Sequence, residues 1–344
     1  MYHDPYKENG NFDKELLLRE GESIMKTKKW LIIAAALVLL GCIIFFGAMP
    51  IVNWDFSKLS TSEYENNDYE ILEKYQHIWV NTDTASVKLV PSESSATTVI
   101  CYEQKKSTHS VSVKDETLVI DINDTRKWYE HIGINFDVPK ITMYIPKGEY
   151  GDLSVKSSTG NVEIPSDFKF KSIDIMETTG MVTNYASATE KIKIKATTGD
   201  ICVKNIVSES LDLKVSTGKI TAEGIICEKD VTVEATTGKV ILGDIQCKSI
   251  KSVGDTGDIQ LESVIARGKL SVERSTGDVK LSGCDGAEIF IKTDTGDVLG
   301  SLLSDKVFIT KTDTGDVNVP KTTSGGICEI NTDTGDIDIT IEKN

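Results

Sequence analysis

The chain has 344 residues, and its 38 Lys and Arg against 53 Asp and Glu give a net charge of −15. This balance excludes a nucleic-acid partner, because a phosphate-binding surface needs clustered cations and only four arginines occur in the chain. A hydrophobic content of 39% with 26% charged residues excludes wholesale disorder. No histidine or tryptophan follows His131, so the C-terminal part lacks the commonest general base and metal ligand.

The first predicted element is a transmembrane helix over residues 30–52. Residues 31–49 are 19 consecutive residues without a strongly polar side chain. At about 1.5 Å per residue, a helix of that length crosses a hydrocarbon core of roughly 30 Å. Trp30 and Trp54 are expected at the two membrane interfaces.

The charges beside this segment predict its orientation. Lys26, Lys28 and Lys29 precede it, so residues 1–29 are expected to form a cytoplasmic tail, and the C-terminal domain is expected outside the cell membrane. Residues 53–69 are then a linker. The tail balances six acids with six bases, and it is either a solvated orientation signal or a docking peptide for a cytoplasmic protein partner.

A second interpretation of the same segment starts translation at Met25. Residues 39–42 then form a lipobox, with lipid attachment at Cys42. The apolar run continues through residues 43–46, whereas a mature lipoprotein usually turns polar after its cysteine, so the transmembrane helix is favoured. Both interpretations place the large domain outside the membrane.

From residue 150 onward the chain repeats itself with a Thr-Gly dipeptide as the marker. Successive glycines lie 19 or 20 residues apart, at Gly160, Gly180, Gly199, Gly218, Gly238, Gly257, Gly277, Gly296, Gly315 and Gly335. A regular period near 20 residues indicates a solenoid, in which each repeat contacts its neighbours.

Two apolar positions recur in every repeat and predict the core. Two residues after each glycine stand Val162, Val182, Ile201, Ile220, Val240, Ile259, Val279, Val298, Val317 and Ile337. Seven residues before each glycine stand Leu153, Ile173, Ile192, Leu211, Val231, Ile250, Leu270, Ile289, Phe308 and Cys328. Both sets are expected to stack into buried ladders.

Alternation between the ladders predicts strands, as in the Lys-Ile-Lys-Ile-Lys run over residues 191–195. The predicted fold is therefore all-β, a parallel β-solenoid with about 19–20 residues per coil, preceded by one transmembrane helix. Consecutive coils are expected to stack about 4.8 Å apart, so that ten coils make a rod roughly 48 Å long. Residues 151–344 are the regular repeats.

Residues 70–150 are predicted to hold N-terminal coils and a cap, which would cover the unpaired edge of the first coil. This segment is rich in aromatic residues. A degenerate copy of the repeat at residues 83–87 places the first coil near residue 77. The polar residues at the C-terminus are expected to end the last strand.

The chain resembles the bacterial putative-adhesin family of β-strand repeats of unknown function, which includes LiaG-like membrane-anchored envelope proteins. The resemblance covers about residues 70–342 and rests on the Thr-Gly-Asp-Val type of repeat, as at residues 275–279, together with the single preceding membrane anchor. It implies an extracytoplasmic domain tied to the cell envelope. The family offers no catalytic residues to carry over.

Acidic residues surround the repeat glycines and support two interpretations. Asp-Thr-Gly, the tripeptide of aspartic proteases, begins at Asp255, Asp294, Asp313 and Asp333, but copies along one edge of a rod have no opposing lobe, so they are assigned to turns. Acids also follow the glycines, at Asp258, Asp278, Asp297, Asp316 and Asp336. This column is either turn chemistry, which is favoured, or a calcium site.

Seven cysteines occur, and two of them lie one period apart. Cys227 and Cys247 are close enough in adjacent coils to form a disulfide, although stacked small side chains are favoured. Cys284 takes a position that is aliphatic in other coils, so it is expected in the core. No Cys/His metal spacing is present.

The sequence therefore predicts no catalytic, cofactor-binding or metal-binding residue, and the chain is not expected to be an enzyme. The favoured function is a cell-envelope interaction, adhesion or scaffold protein that binds an envelope or surface component. One alternative is an envelope-stress sensor signalling through its cytoplasmic tail. The other is a carbohydrate-active β-helix enzyme, which the near-constant repeat length disfavours because it leaves no inserted catalytic loop.

Overall fold

The structure is a computed structural model that describes residues 9–54, 63–131 and 137–342. Its described residues fall into two compact units. Residues 9–54 belong to the first unit, and residues 63–131 and 137–342 belong to the second. The predictions for residues 1–8 of the tail, for residues 55–62 of the linker, for residues 132–136 and for the last two residues lie outside the described residues.

The first unit is one long helix. Helix α1 (Asn9–Ala48) has 40 residues, and a short 3-10 helix (Met49–Val52) follows it. Residues Lys28–Ile51 are apolar enough to span a membrane, with a mean hydropathy of 2.9 and no buried residue in the most apolar window. The helix is apolar on all sides there, which is typical of a segment surrounded by lipid.

The second unit is built almost entirely of strands. The strands in its N-terminal part are β1 (Tyr64–Ile71), β2 (His77–Thr82), β3 (Ser86–Ser92), β4 (Thr97–Gln104), β5 (Ser107–Lys114), β6 (Thr117–Asp124), β7 (Lys140–Pro146), β8 (Gly148–Thr159), β9 (Val162–Ile164), β10 (Phe168–Thr179), β11 (Val182–Asn184), β12 (Ser187–Ala188) and β13 (Lys191–Thr198). A second 3-10 helix (Trp128–His131) lies between β6 and β7.

The remaining strands are β14 (Ile201–Ser208), β15 (Ser210–Thr217), β16 (Ile220–Cys227), β17 (Asp230–Thr237), β18 (Val240–Cys247), β19 (Ser249–Thr256), β20 (Ile259–Thr276), β21 (Val279–Thr295), β22 (Val298–Leu302), β23 (Lys306–Thr314), β24 (Val317–Asn318), β25 (Gly326–Thr334) and β26 (Ile337–Ile341). They wind into a β-solenoid of about ten turns. The all-β solenoid preceded by one apolar helix is therefore confirmed.

Each regular coil contributes one strand to each of two parallel stacks. Strand β17 pairs in parallel with β15 and β19, and β18 pairs in parallel with β16 and β20. The register follows the sequence period, so Val240 lies between Ile220 and Ile259. Equivalent side chains therefore stack directly on one another, as parallel in-register pairing requires.

The Thr-Gly corner allows coils to approach more closely than any side chain would permit. A Cβ added to Gly238 would lie 1.9 Å from the carbonyl oxygen of Gly218 in the preceding coil. Gly238 also has a φ of 144°, a conformation that residues with a Cβ rarely adopt. The corner therefore needs glycine for two reasons, of which the close contact is the more restrictive.

The two predicted ladders form the core, with two exceptions. Residues at both repeat positions are buried in the other coils, but Phe308 is half-buried and Val317 is 45% exposed. Both exceptions lie in the coil of β23 and β24, which has a neighbouring coil on only one side. An aliphatic side chain in a terminal coil cannot be covered from both sides.

The expected consecutive stacking of coils is wrong at the C-terminal end. Strands β25 and β26 pair with β21 and β22 on one side and with β23 and β24 on the other. The last coil in sequence, here called the inserted coil (residues 326–341), therefore lies between its two predecessors. Thr334 of the inserted coil aligns with Thr295 on one side and with Thr314 on the other. Because all three coils have the same repeat geometry, the inserted coil can stack between the other two.

The N-terminal end shows the same exchange of order and adds antiparallel strands. Strands β2 and β3 lie between β6 and β7 on one side and β8 and β9 on the other. Beyond β6 and β7, strand β5 pairs antiparallel with β6, and β4 pairs antiparallel with both β7 and β1. These antiparallel strands pair with edges that β6 and β7 would otherwise expose. A separate cap with a boundary at residue 150 stays a prediction.

The core ladder generates a test of which side chains face inward. Val240→Asp is expected to lower the free energy of unfolding by roughly 4 kcal/mol or more, because it places a carboxylate without a partner at a fully buried site. Gln246→Asp changes an exposed residue of the same strand and is expected to stay within about 0.5 kcal/mol of the parent. Urea denaturation of both variants measures the difference, and equal midpoints would contradict the assigned faces.

Candidate functional site

The acidic column runs along the Thr-Gly edge and is hydrogen-bonded from coil to coil. The Oδ1 atom of Asp258 accepts from the backbone N–H of Asp278 at 3.1 Å, and Asp278 accepts from Asp297 at 3.1 Å. The ladder continues through the inserted coil, where Asp297 accepts from Asp336 at 2.9 Å and Asp336 accepts from Asp316 at 2.8 Å. Four of the five carboxylates therefore accept from a backbone donor in the next coil, and the fifth, Asp316, lies in the outermost coil of the described stack.

This geometry explains the acids after the glycines as part of the turn. Elsewhere on the same edge Asn161, which is neutral, accepts from the backbone N–H of Met181 at 2.9 Å. An amide oxygen thus forms the same bond, so the bond itself does not require negative charge. Calcium binding at the column stays an alternative.

The Asp-Thr-Gly tripeptides also lie along this edge. Lys292 and Asp294 approach to 3.4 Å, and Lys311 and Asp313 approach to 3.0 Å, both as exposed ion pairs within one strand. Exposed pairs of this kind contribute little to stability. The tripeptides lie in stacked coils rather than facing one another, so the sharing of a proton between two such carboxylates has no structural basis here.

Cys227 and Cys247 lie in adjacent coils as buried free thiols. The Cys227 sulfur lies 3.2 Å from the hydroxyl of Ser208, its neighbour in the stack. Burial raises the pKa of Cys247 to about 12, which keeps its thiol protonated at neutral pH. Cys284 is fully buried, as its aliphatic position predicts.

A buried polar network that was not predicted from the sequence lies at the N-terminal end of the solenoid. The Nδ1 atom of His109 lies 2.6 Å from Oε2 of Glu103, and its Nε2 atom lies 2.9 Å from the hydroxyl of Thr82. Asn67 donates to the second oxygen of Glu103 at 2.8 Å. Thr82, Glu103 and His109 are each at least 96% buried. Their hydrogen bonds therefore join strands β2, β4 and β5 in a part of the core that water does not reach.

The network has the carboxylate, imidazole and hydroxyl order of an acyl-transfer triad, but it lacks access. The Thr82 side chain belongs to a residue that is only 3% exposed, so a substrate cannot approach its hydroxyl. Its hydroxyl also accepts from the backbone N–H of Ala85 at 3.4 Å, which is a turn contact. The network therefore has a structural role, because its hydrogen bonds hold strands β2, β4 and β5 together.

The same network contains three groups of the kind that bind metals. The ligand atoms of Cys101, Glu103 and His109 lie within 4.8 Å of one another. Both ring nitrogens of His109 and both oxygens of Glu103 already have side-chain partners, so these groups are satisfied without an ion. Burial raises the pKa of Cys101 to about 12, which opposes the thiolate that a metal would require.

Two further charged residues point into the core at the position three residues before the repeat glycine. Glu177 is 4% exposed, and one of its carboxylate oxygens has no hydrogen-bond partner. Arg274 is 3% exposed and donates to the Ser252 hydroxyl at 3.1 Å, while burial lowers its pKa to about 10. Gly254 leaves the space that the guanidinium occupies, since an added Cβ would lie 1.7 Å from Arg274 Nη1.

The alternation of the strands contains the signal that would have found both residues. Glu177 follows the buried positions Ile173 and Ile175 with the same period of two, and Arg274 follows Leu270 and Val272 in the same way. The apolar ladders alone do not include these two polar residues, but the alternation of inward and outward positions does. Inward position, rather than residue type, decides burial in a solenoid strand.

A groove of about 590 Å³ lies at the corner opposite the Thr-Gly edge near the N-terminal end. Tyr75 and Tyr150 stack beside it with ring centroids 6.0 Å apart. Both hydroxyls are engaged, with Thr97 at 2.7 Å and with the Pro146 carbonyl at 2.7 Å. The two rings therefore serve mainly as packing between adjacent coils.

The acidic column generates a test that separates hydrogen bonding from charge. Asp297→Asn keeps an oxygen acceptor for the backbone N–H of Asp336, so the melting temperature is expected to stay unchanged or rise slightly. Asp297→Ala removes the acceptor and is expected to cost about 1 kcal/mol of stability. Differential scanning calorimetry of the two variants measures the difference.

The melting temperature also tests whether the acidic column binds calcium. Calcium, magnesium and monovalent salt at matched ionic strength are expected to change the melting temperature of the parent chain equally, because exposed charges are only screened. A rise specific to calcium that disappeared in Asp297→Asn/Asp316→Asn would contradict the turn assignment, since a bound ion stabilises the folded state as its concentration rises above its Kd.

Glu177 generates a test of pH dependence. Burial raises the pKa of Glu177 above its ordinary value of 4.5, so the folded chain binds this proton more tightly than the unfolded chain. Its contribution to stability is full below the unfolded pKa and is lost as the pH rises through the folded pKa. Glu177→Gln is therefore expected to raise the free energy of unfolding at neutral pH, because it removes a buried charge.

The matched control for Glu177→Gln is Glu228→Gln, which changes an exposed carboxylate on the outside of the rod. It is expected to leave both the stability and its pH dependence unchanged. Denaturant unfolding from about pH 4 to about pH 8 measures the free energy of unfolding of both variants over a range that begins near the ordinary carboxyl pKa. Parallel pH profiles in the parent and Glu177→Gln would contradict the raised pKa.

Comparison with solved structures finds proteins of similar extent and low identity. A crystal structure named as a putative adhesin from Parabacteroides distasonis is 12% identical, covers 81% of this chain and 98% of its own, and has a TM-score of 0.47. A putative adhesin from Bacteroides fragilis is 15% identical, covers 81% and 97%, and has a TM-score of 0.38. A putative lipid binding protein from P. distasonis is 12% identical, covers 82% and 98%, and has a TM-score of 0.35.

No curated protein matches the chain. The family model described as Toastrack DUF4097 matches residues 75–229 and 226–344, which together span most of the solenoid. The resemblance to an adhesin-type family of β-strand repeats with unknown function is thereby confirmed. Because these two matches cover well over half of its length, the chain belongs to the Toastrack DUF4097 family.

Proposed function

We propose that this protein is a single-pass membrane protein whose solenoid lies outside the cell membrane and binds a component of the cell envelope or surface. In this proposal residues 1–29 are a cytoplasmic tail, residues 30–52 span the membrane, and the predicted linker over residues 53–69 leads into strand β1, which begins at Tyr64. The solenoid acts as an adhesion, interaction or scaffold surface without catalysis. The adhesin names of similar solved structures are consistent with this role.

The apolar span of α1 carries the proposal. Its side chains are exposed on every side, as shown by Trp30 at 71%, Ile43 at 68% and Phe46 at 61%. A continuous exposed apolar surface of this length is costly in water and stable in lipid. The lysines on its N-terminal flank support a cytoplasmic N-terminus.

The chemistry of the solenoid supports a binding role over catalysis. The Thr82 hydroxyl of the carboxylate–imidazole–hydroxyl network is buried, so a substrate cannot reach it. The Asp-Thr-Gly carboxylates lie along an open edge and form no cleft with one another. Regular coils also present long flat faces, which suit an extended partner better than a small substrate.

A second candidate is an envelope sensor that signals through its tail, and the continuity of α1 favours it. The helix runs from Asn9 to Ala48 without a break, so the predicted tail and the membrane span form one element of about 60 Å. A rigid helix can pass a rotation or shift from one side of the membrane to the other. Deletion of residues 9–24 should abolish signalling and leave binding by the solenoid intact if this candidate is correct.

Protease digestion tests the proposed topology. In cells with the wall removed, external protease is expected to degrade the solenoid and to leave an N-terminal epitope tag intact, because the tag lies in the cytoplasm. Replacement of Lys26, Lys28 and Lys29 by Gln is expected to weaken this asymmetry. Protection of the solenoid in intact spheroplasts would contradict the orientation.

Cys42 separates the spanning helix from the lipoprotein interpretation. Cys42→Ala is expected to leave the protein in the membrane fraction, because the helix rather than a lipid would hold it there. Mass spectrometry of the mature protein should find residues 1–24 still attached. Release of Cys42→Ala into the soluble fraction would favour lipid attachment instead.

A further inference from the structure

Two exposed aromatic side chains lie together on the 3-10 helix Trp128–His131. Trp128 is 77% exposed and Tyr129 is 50% exposed, although large aromatic side chains are usually more buried in folded proteins. Their ring centroids lie 5.9 Å apart in an edge-to-face arrangement, and none of the four residues of this helix is buried. Two adjacent exposed aromatic rings indicate a contact surface rather than part of the core.

This aromatic turn lies beside the point where the chain enters the solenoid. The Tyr64 hydroxyl, at the start of β1, donates to the backbone carbonyl of Asp137 at 3.1 Å. The side chain of Gln104 donates to the same hydroxyl at 2.9 Å, and Arg126 donates to Gln104 at 3.0 Å. Tyr64 is therefore linked directly to Asp137, which follows the turn in sequence, and through Gln104 to Arg126, which precedes it.

The position of the entry strand places the aromatic turn within reach of the membrane. Eight residues separate Trp54, at the outer end of the apolar span, from Glu63, where the described solenoid begins. Eight residues reach at most about 29 Å when fully extended. In the proposed topology this linker tethers the end of the solenoid that carries Trp128 near the bilayer surface, whereas the coil of β23 and β24 lies at the far end of the stack.

The chemistry of the turn fits the interface between water and lipid. Tryptophan and tyrosine concentrate there because each combines a large apolar ring with a polar group that stays hydrated. The chain as a whole has a net charge of −15, which opposes contact with anionic lipids. Around the turn the charges balance, with bases and acids paired as Lys105 with Glu63, Lys106 with Glu130 and Arg126 with Asp124.

We propose that Trp128 and Tyr129 form a second membrane contact, which inserts into the interface of the bilayer that α1 spans and holds the N-terminal end of the solenoid against it. This inference rests on the proposed membrane span. A lipid surface is favoured over a second copy of the chain because the tether delivers the turn to lipid. The contact would set the direction in which the rod projects from the cell surface.

Quenching of tryptophan fluorescence by brominated lipid tests the contact in the full-length chain. The protein is reconstituted into phosphatidylcholine vesicles after Trp30, Trp54 and Trp79 are changed to Phe, so that only Trp128 emits. Lipids brominated near the headgroup end of the acyl chain are expected to reduce the Trp128 emission at least twofold. The emission maximum of Trp128 is also expected to be blue-shifted in the vesicles. The matched control adds Trp128→Phe and Ile327→Trp, which places the only tryptophan at an exposed site near the far end, and it should not be quenched.

A third variant that keeps only Trp54 separates the two proposals. Quenched Trp54 with unquenched Trp128 would overturn the second contact while retaining the membrane span. Unquenched Trp54 would overturn the span, and this inference with it. A blue shift of Trp128 that depends on protein concentration, without quenching by lipid, would assign the turn to a contact between copies and would also overturn the proposal.

The difference in quenching between the parent chain and Trp128→Phe repeats the test with one conservative change. This comparison remains decisive if the triple Phe background folds poorly, because the other three tryptophans are unchanged. The parent should lose more emission than Trp128→Phe when the brominated lipid is added. Equal fractional quenching in the two proteins would contradict the contact.

Discussion

Close packing at the glycine corner is the constraint on which the solenoid depends. A Cβ at Gly180 would lie 1.7 Å from the carbonyl oxygen of Gly160, and the same clash recurs from coil to coil. The backbone of each corner therefore rests directly on the corner before it. This contact fixes the vertical position of one point in every coil, and the parallel strands on either side then pair in the register that follows from it.

The ends of the stack are governed by a different requirement, because parallel pairing leaves an unpaired edge at each end. At the N-terminal end, antiparallel strands pair with the outermost coil and bring the entry strand β1 into the sheet. At the C-terminal end, the inserted coil is covered on both sides, while Phe308 and Val317 in the outer coil remain partly uncovered. Both ends thus differ from the regular repeat in the order of their coils.

Polar groups inside the rod fall into satisfied and unsatisfied classes. The Glu103, His109 and Thr82 network satisfies its members through bonds between strands, and it locks the irregular N-terminal end. Glu177 and Arg274 are less well satisfied, and they interrupt a core that is otherwise aliphatic. Buried groups of this kind lower stability.

The sequence alone determined the period, the two apolar ladders, the glycine corner and the apolar helix, because each is a local property repeated along the chain. Residues such as Val240 and Ile220 had to be buried once the period of two was recognised. The tertiary structure decided the order of coils at the ends and the meeting of Thr82, Glu103 and His109. It also decided the link from Tyr64 through Gln104 to Arg126. Equal repeats can stack in more than one order without changing any local pattern, so only the three-dimensional arrangement decides which coils become neighbours.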